Sequence, residues 1–307
     1  MRIIRDLSDV TQADRGASAA IGNFDGVHLG HQAVIELARA ENRPLAVMTF
    51  EPHPREVFAP DAPAFRLMDA RARAHRLERL GVDLLFELSF PAIRHLSDED
   101  FCQNVIVDGL GLAGVTVGAD FRYGAGRSGT IETLQTAGAK MGFEVTIADL
   151  IQDADKEISS TAIRTALGEG RPGDAAKMLG HWHRIEGLVE HGEKRGRELG
   201  YPTANMSMAG RHLPKLGVYA VLVDVLTGPH EGRYQGAASL GVRPMFGENQ
   251  PNLETYIFDF TGDLYGAEMS VALIDFLRPE AKFEGLPALI SQMETDCEQA
   301  RTLLARL

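Results

Sequence analysis

The sequence is poor in cysteine and in long apolar runs. Its 307 residues include two cysteines, Cys102 and Cys297, far apart and outside any C-x-x-C pair. This excludes a disulfide scaffold and a thiolate zinc site. A transmembrane helix needs roughly 18 consecutive apolar residues, and no such run occurs. Charges interrupt the N-terminal stretch before a secretory signal peptide could form, so we expect a cytoplasmic protein with no membrane partner.

Positive charge is also scarce. Lysine and arginine number 31 against 43 aspartates and glutamates, which gives a formal net charge of −12. This balance argues against a nucleic-acid partner or an anionic membrane, although local positive charge can still bind a nucleotide. Hydrophobic residues make up 44% of the chain, enough for a core in each of two domains.

Short β-rich runs alternate with helical patterns through the first half of the chain. The runs lie at 17–21, 45–50, 82–88, 114–118 and 143–151, and the helical patterns at 31–41, 68–80, 98–110 and 130–140. Strands joined by crossover helices predict an α/β fold with a doubly wound parallel sheet. Such sheets bind ligands beyond the carboxyl ends of their strands, so we expect the chemistry in the loops there.

The second half has a different pattern. It contains strand-like runs with no helix-length pattern between them, at 184–190, 218–226, 235–240, 253–260 and 269–276. This predicts a smaller antiparallel β-barrel or sandwich. An apolar stripe from Leu286 to Leu304 predicts one terminal amphipathic helix, with Cys297 as a core residue. We place the boundary near Gly180–His183, which gives domains 1–181 and 182–307.

A motif rich in glycine and histidine follows the first strand. It reads Gly22-Asn23-Phe24-Asp25-Gly26-Val27-His28-Leu29-Gly30-His31 and leads into a helix. Glycines allow close backbone approach, and the start of a helix offers unpaired N–H groups with a positive dipole end. His28 and His31 can both reach a triphosphate and donate hydrogen bonds to oxygens that gain charge as pyrophosphate leaves.

Three further motifs follow later strands of this half: 49–55, 117–124 and 158–164. Together with the histidine motif they resemble the nucleotidylyltransferase superfamily, and specifically the N-terminal module of the prokaryotic bifunctional riboflavin kinase/FAD synthetase family. The resemblance implies that His28 and His31 contact ATP phosphates and that Arg164 completes a second phosphate clamp. It implies further nucleotide or flavin contacts at Gly22, Asn23, Phe24, Asp25, Gly30, Asp120, Ser159, Ser160 and Thr161.

The second candidate site opens with the glycine-rich, basic segment 192–205. Its local positive charge suits a phosphate cover. Thr203 and Asn205 would face the same side of an extended segment, where a hydroxyl and an amide carbonyl suit Mg²⁺ beside ATP. From the residues alone, a plain β-turn explains this segment equally well.

The same segment resembles the flavokinase signature, and residues 217–220, 259–260, 263–266 and 277–283 continue the match. The resemblance implies that Glu254 is the catalytic base and that Thr203 and Asn205 are metal ligands. It implies substrate contacts at Gly196, Arg197, Gly200 and Pro202.

These resemblances predict a bifunctional enzyme that phosphorylates riboflavin with ATP·Mg²⁺ and then adenylylates FMN to FAD. Two alternatives stay open. One is an FAD synthetase with a decayed kinase module, since Arg243-Pro244-Met245 stands where the family has Arg-Pro-Thr. The other is a flavin storage protein without turnover, which would need no base. The sequence does not give the oligomeric state.

Other patterns have simpler explanations. The G-x-G-x-x-G at 124–129 starts well after the fourth strand ends, the wrong place for a dinucleotide fingerprint. The arginines from Arg66 to Arg79 are interpreted as a solvated helix face. His181-Trp182-His183 is interpreted as packing rather than a metal site.

Overall fold

The structure is a computed structural model that describes residues 1–149, 152–153, 156–192, 200–245 and 248–307. The chain divides into two compact units. One contains Met1–Ala62 and Arg73–Ile158, and the other contains Pro63–Ala72 and Ser159–Leu307. Gly196 and Arg197, two of the predicted substrate contacts, lie outside the described residues.

The first unit is built on a parallel sheet in the order β1-β4-β3-β2-β5-β6. The strands are β1 (Arg2–Ile4), β2 (Ser18–Ile21), β3 (Leu45–Glu51), β4 (Leu84–Ser89), β5 (Gly114–Gly118) and β6 (Glu144–Ala148). This confirms the predicted doubly wound sheet. The order reverses direction between β2 and β5, so the loops after these two strands flank the crevice where such sheets bind ligands.

Helices alternate with these strands. They are α1 (Leu29–Ala38), α2 (Pro54–Phe58), α3 (Ala70–Arg79), α4 (Phe90–Ile93), α5 (Asp98–Asp100) and α6 (Ile131–Met141), and a π-helical segment, Phe101–Leu110, continues α5. A short hairpin, β7 (Gln152–Asp153) and β8 (Lys156–Glu157), follows β6. Buried side chains of the sheet and the π-helical segment, such as Met48, Phe86 and Ile106, form the core.

The second unit begins with two helices and continues as an antiparallel sheet in the order β10-β13-β12-β11-β14-β9. Its elements are α7 (Ser160–Gly168), α8 (Pro172–Leu179), β9 (Arg184–Leu188), β10 (Thr203–Ser207), β11 (Gly217–Val225), β12 (Gly232–Met245), β13 (Glu248–Ile257), β14 (Glu268–Arg278) and α9 (Leu286–Leu304). A bridge between Glu190 and Asn205 joins the two edges, since the Glu190 N–H donates to the Asn205 carbonyl at 2.8 Å. The predicted antiparallel barrel with a terminal helix is confirmed.

Helices α7 and α8 are counted with the second unit because they pack around Leu67. Buried Ile163, Ala166 and Leu179 belong to the same cluster. The predicted boundary between residues 181 and 182 divides the chain by activity rather than by packing. It stays a prediction.

The arginine stretch differs from its prediction. Of its arginines, only Arg71 and Arg79 are exposed to solvent. Arg66 and Arg73 are buried, with exposed fractions of 6% and 2%. Arg73 is buried because it pairs with two carboxylates of the sheet, Glu51 at 2.6 Å and Glu87 at 2.8 Å. The solvated-face interpretation was wrong for this buried pair of arginines.

The His181-Trp182-His183 segment packs as predicted. His183 is 3% exposed, and Trp182 lies against the cluster that α9 contributes to. Within the described ranges, no helix is long and apolar enough to cross a membrane.

Candidate active sites

His28 and His31 lie together at the start of α1, directly after β2. His28 is the N-cap residue, and its Nδ1 accepts a hydrogen bond from the His31 backbone N–H at 3.3 Å. In a neutral ring the other nitrogen, Nε2, then carries the proton. The two rings stack with their centroids 3.6 Å apart. The pair therefore forms one rigid unit with donor capacity at a helix N-terminus.

Gly30 makes this arrangement possible. A Cβ at Gly30 would lie 3.1 Å from two atoms of the His28 ring and 3.8 Å from the Ile158 carbonyl oxygen. Such contacts are tighter than ordinary carbon separations of about 3.5–4.0 Å. The glycine between the two histidines is thus a packing requirement of the histidine pair.

The electrostatics of His31 also point to a ligand. Its Nδ1 is buried, and no hydrogen-bond partner for it is found in the described part of the chain. Burial, and to a smaller extent His28, hold the pKa of His31 well below its usual value. The ring is therefore neutral at pH 7. An unsatisfied buried polar atom is rare away from functional sites.

The loop between β2 and α1 is strained. Phe24 and Val27 have φ values of 51° and 43° although neither is glycine, and both are fully buried. Backbone in this left-handed region costs energy and is concentrated at functional sites. The Thr49 hydroxyl donates to the Asn23 carbonyl at 3.2 Å, and Asp25 is 5% exposed. The loop is held in one conformation, with the Asn23 side chain exposed.

Asp120 is exposed in the loop after β5. Tyr123 anchors this loop, because its buried hydroxyl lies 3.1 Å from the Thr133 hydroxyl at the start of α6. Its ring stacks on that of Phe121. Burial raises the pKa of Tyr123, so the phenol stays protonated and available for this bond. Tyr123 belongs to the predicted motif 117–124, which gave it no role of its own.

The residues of the predicted second phosphate clamp lie at the start of α7, in the second unit. Ser159 is the N-cap, and its hydroxyl accepts from the Ala162 N–H at 3.3 Å. Ser160 and Thr161 form the first turn. The Arg164 guanidinium donates to the Phe65 carbonyl at 3.4 Å and lies 5.7 Å from the centre of its ring.

The second unit contains an open cavity of about 330 Å³. Thr203, Ser239, Glu254 and Tyr256 line it from the barrel, and Leu289, Met293 and Cys297 line it from α9. Cys297, predicted as a core residue, is half-buried and borders this cavity, because the first turns of α9 pack less deeply than the last. Burial raises the pKa of the Cys297 thiol to about 11, so the thiol is neutral at pH 7.

Strand register brings Glu254 beside the predicted metal ligands. Glu254 on β13 lies directly opposite Asn205 on β10, and Thr203 lies opposite Tyr256. Directly opposed residues of an antiparallel pair share a face of the sheet. Thr203, Asn205 and Glu254 therefore share one face, which confirms the extended segment and excludes the β-turn alternative.

Asn205 is held in place by its neighbours. It is 7% exposed; its Nδ2 donates to the Thr203 carbonyl at 3.2 Å, and its Oδ1 accepts from Asn252 at 2.9 Å. A Cβ at Gly192 would lie 2.5–2.8 Å from this amide. An amide oxygen has two lone pairs, so Oδ1 can still bind a cation. Pro202 immediately precedes β10, and Gly200 lies two residues before Pro202.

An ion pair supports the far wall of the cavity. The Arg278 guanidinium, at the end of β14, donates to both carboxylate oxygens of Asp296 on α9 at 2.7–3.0 Å. Asp296 is 4% exposed and also accepts from Gln292 at 2.9 Å. Sequence reasoning placed Arg278 in a motif but missed Asp296, a charged residue inside an otherwise apolar helix stripe.

The structure thus gathers two groups of predicted residues. Within the first unit, Gly22 to His31 form one strained loop and helix start. Within the second, Thr203, Asn205 and Glu254 meet on one sheet face. Among the described residues, no group of three or more histidine, cysteine, aspartate or glutamate side chains could hold a metal ion; the predicted magnesium ligands are of other types.

Comparisons with known proteins agree with this two-part organisation. A family model for FAD synthetase matches residues 10–162, and one for riboflavin kinase matches residues 179–304. A bifunctional riboflavin kinase/FMN adenylyltransferase of Pseudomonas fluorescens is 40% identical, with 99% of this chain and 98% of that protein covered. One of Escherichia coli (strain K12) is 38% identical, with 98% and 97% covered.

A solved structure is similar over the same length. It is the crystal structure named Macrolide-efflux Protein from Streptococcus pneumoniae, with a TM-score of 0.83, 31% identity and 98% of each chain covered. The family follows from the two matching models and from relatives that align over nearly the full chain. This chain belongs to the bifunctional riboflavin kinase/FMN adenylyltransferase family.

Proposed function

We propose that this chain makes FMN and FAD with two separate sets of residues. One set phosphorylates riboflavin with ATP, and the other transfers an adenylyl group from ATP to FMN and releases pyrophosphate. The observation that carries the proposal is the sheet face on which Glu254 adjoins Thr203 and Asn205 at the edge of an open cavity. We assign adenylyl transfer to residues 1–181 and the kinase reaction to residues 182–307.

In the kinase reaction Glu254 is the general base. Its carboxylate accepts the proton of the terminal ribityl hydroxyl as that oxygen attacks the γ-phosphorus of ATP and ADP leaves. The apolar wall of α9, with Leu289 and Met293, receives the flavin ring. Gly196, Arg197, Gly200 and Pro202 are proposed contacts for ATP or flavin, from the resemblance alone.

Thr203 and Asn205 fit Mg²⁺. They present hard oxygen donors on one face of β10, and magnesium prefers such oxygens together with substrate phosphates. When bound, the ion neutralises charge on the ATP phosphates. The buried Asn205 amide, fixed by Thr203 and Asn252, orients its oxygen before any ligand arrives.

In adenylyl transfer His28 and His31 stabilise the leaving pyrophosphate. The FMN phosphate attacks the α-phosphorus of ATP, and no covalent enzyme intermediate is needed, so positioning and charge stabilisation supply the catalysis. The stacked rings, with His28 bonded to the His31 backbone N–H, are prepared donors for oxygens that gain charge. Arg164 and the hydroxyls of Ser159, Ser160 and Thr161 are proposed as a further phosphate clamp.

The remaining predicted contacts shape the adenylylation site. We propose that Asn23, Asp25 and Asp120 position the nucleotide or the flavin. Gly22 and Phe24 give the loop its backbone conformation, and Gly30 leaves space for the His28 ring. The two free cysteines suit a reducing compartment, and we propose that the enzyme works in the cytoplasm on small-molecule substrates.

Product analysis with matched variants tests this division. The protein is incubated with riboflavin, ATP and Mg²⁺, and the flavins are separated by chromatography. His28→Ala is expected to abolish FAD formation and spare FMN formation, whereas Glu254→Ala is expected to abolish FMN formation from riboflavin and spare FAD formation from added FMN. The exposed residues His95 and Glu231 give the control variants His95→Ala and Glu231→Ala.

The outcomes separate the alternatives. Equal loss of both products in either variant refutes the division of labour. A wild-type protein that converts FMN to FAD but leaves riboflavin untouched supports the decayed-kinase alternative, for which Met245 at the end of β12 is the sequence argument. A protein that binds flavin and forms neither product supports storage.

A further inference from the structure

One row of side chains crosses five neighbouring strands of the barrel at the level of the proposed base. Asn205 on β10 is opposite Glu254 on β13, and Glu254 is opposite Ser239 on β12. Ser239 is opposite Val218 on β11, which in turn is opposite Arg278 on β14. Directly opposed residues share a face, and all of the row except Asn205 lines the cavity.

The order of chemistry along this row matches the order of groups along riboflavin. Asn205 is a proposed metal ligand and Glu254 the proposed base, so phosphoryl transfer takes place at the β10 and β13 end. Val218 is apolar and lies toward α9, where the cavity suits the flavin ring. The polyhydroxyl ribityl chain, which joins the reacting hydroxyl to the ring, must therefore cross β12.

Ser239 is the hydroxyl at that crossing. It is half-buried and borders the cavity, and its side chain has no hydrogen-bond partner among the described residues, which leaves its donor and its acceptor available within that part of the chain. Along the row Ser239 lies between Glu254 and the apolar Val218, and its cavity-lining neighbours on β12, Ala237 and Ala238, are apolar. A serine hydroxyl both donates and accepts, which suits a sugar-alcohol hydroxyl that does the same.

We propose that Ser239 is a substrate-binding residue of the kinase reaction and that its hydroxyl bonds a ribityl hydroxyl other than the one that reacts. The inference rests on the proposed kinase function. Neighbouring strands are about 4.8 Å apart, so a ribityl chain with its terminal hydroxyl at Glu254 brings an inner hydroxyl to Ser239. The terminal proton goes to Glu254, and the bond at Ser239 moves no proton. It fixes which hydroxyl faces the base.

The test compares Ser239→Ala with the wild type in steady-state phosphorylation of riboflavin. Loss of one neutral hydrogen bond is expected to raise the KM for riboflavin about 3- to 10-fold and to change kcat less. Ser239→Thr keeps the hydroxyl and is expected to keep KM within about twofold of the wild type. Ser291→Ala, at an exposed position on α9, is the matched control, and a retained kcat for riboflavin phosphorylation reports that the barrel of Ser239→Ala is folded.

Lumiflavin separates a ribityl bond from a deformed cavity, because it carries the flavin ring without the ribityl chain. Its inhibition constant is expected to be the same for Ser239→Ala and the wild type. An unchanged KM for riboflavin, or a lumiflavin constant that rises by the same factor as that KM, overturns the proposal. If Glu254→Ala abolishes phosphorylation while Ser239→Ala leaves the KM for riboflavin unchanged, only the inference about Ser239 fails. If Glu254→Ala is fully active, the proposed function itself is wrong.

Discussion

Replacement of Gly30 by alanine tests whether the histidine pair is a rigid catalytic unit. The added Cβ would lie 3.1 Å from the Cε1 and Nδ1 atoms of the His28 ring. Ordinary contacts of carbon are about 3.5–4.0 Å, so the ring must retreat by about half an ångström. Little space is available, because His28 is 7% exposed and its ring stacks on His31 with centroids 3.6 Å apart.

The magnitude follows from what this retreat disturbs. The hydrogen bond from the His31 N–H to His28 Nδ1 is already 3.3 Å long, and any further separation breaks it. Misplacement by 1 Å costs a catalytic group about 100-fold in rate, so half that displacement predicts about a tenfold loss of kcat/KM for adenylylation. Overpacking of this kind destabilises a protein by about 1–3 kcal/mol, which leaves the unit folded.

The assay measures FMN adenylylation and riboflavin phosphorylation on the same sample. Gly30→Ala is expected to lower only the first. Gly173→Ala is the matched control, because an added Cβ in helix α8 meets no atom within 4 Å. Full adenylylation activity in Gly30→Ala refutes the argument that the His28 ring must stay in place. An equal fall of both activities indicates general unfolding instead.

Three further changes test other parts of the structure. Gly192→Ala would place a Cβ 2.5 Å from the Asn205 amide nitrogen. We expect the rate of riboflavin phosphorylation to fall at least tenfold and the rate of adenylylation to stay the same. A phosphorylation rate equal to that of the wild type would contradict the role of Asn205. Asp296→Ala strips Arg278 of a bidentate partner that is 4% exposed; we expect a loss of about 3 kcal/mol in unfolding free energy, measured by urea denaturation, and an unchanged midpoint would refute it. Burial lowers the pKa of His183 to about 3, so the unfolded state binds more protons between that value and about 6.5. Stability is therefore expected to fall by about 1.4 kcal/mol per pH unit below pH 6.5, and His183→Leu is expected to flatten this dependence in urea midpoints at pH 7 and pH 5.

Periodicity predicted most of the fold because burial follows it. The run at 114–118 became β5 with the same bounds, and the apolar stripe at 286–304 became α9 with the same bounds. Strands β1 and β10 were not predicted outright, for different reasons. Strand β1 has three residues, too few to show a period. For β10 an extended segment and a β-turn were equally good predictions, because Gly200 and Pro202 come just before Thr203, and its extended form depends on pairing with β13.

The candidate sites were predicted unevenly, for a physical reason. His28 and His31 are close in sequence and share one helix start, so a local motif reveals them. Glu254 has no local signature; only the resemblance to a known family singled it out, and only the register shows it beside Asn205. Arg73 was misjudged because its helix position suggested solvent, whereas its partners Glu51 and Glu87 come from distant strands.

The kinase half therefore depends on register more than on any motif. Side chains alternate between the two faces of a strand, so a one-residue slip of β13 would remove Glu254 from the cavity face and bring Leu253 or Thr255 in its place. Those residues are fully buried in the barrel interior, and exposing them opposes such a slip. The same burial that stabilises the barrel thus keeps the base between Asn205 and Ser239. A change in the core of β13 should disturb phosphoryl transfer before it unfolds the barrel.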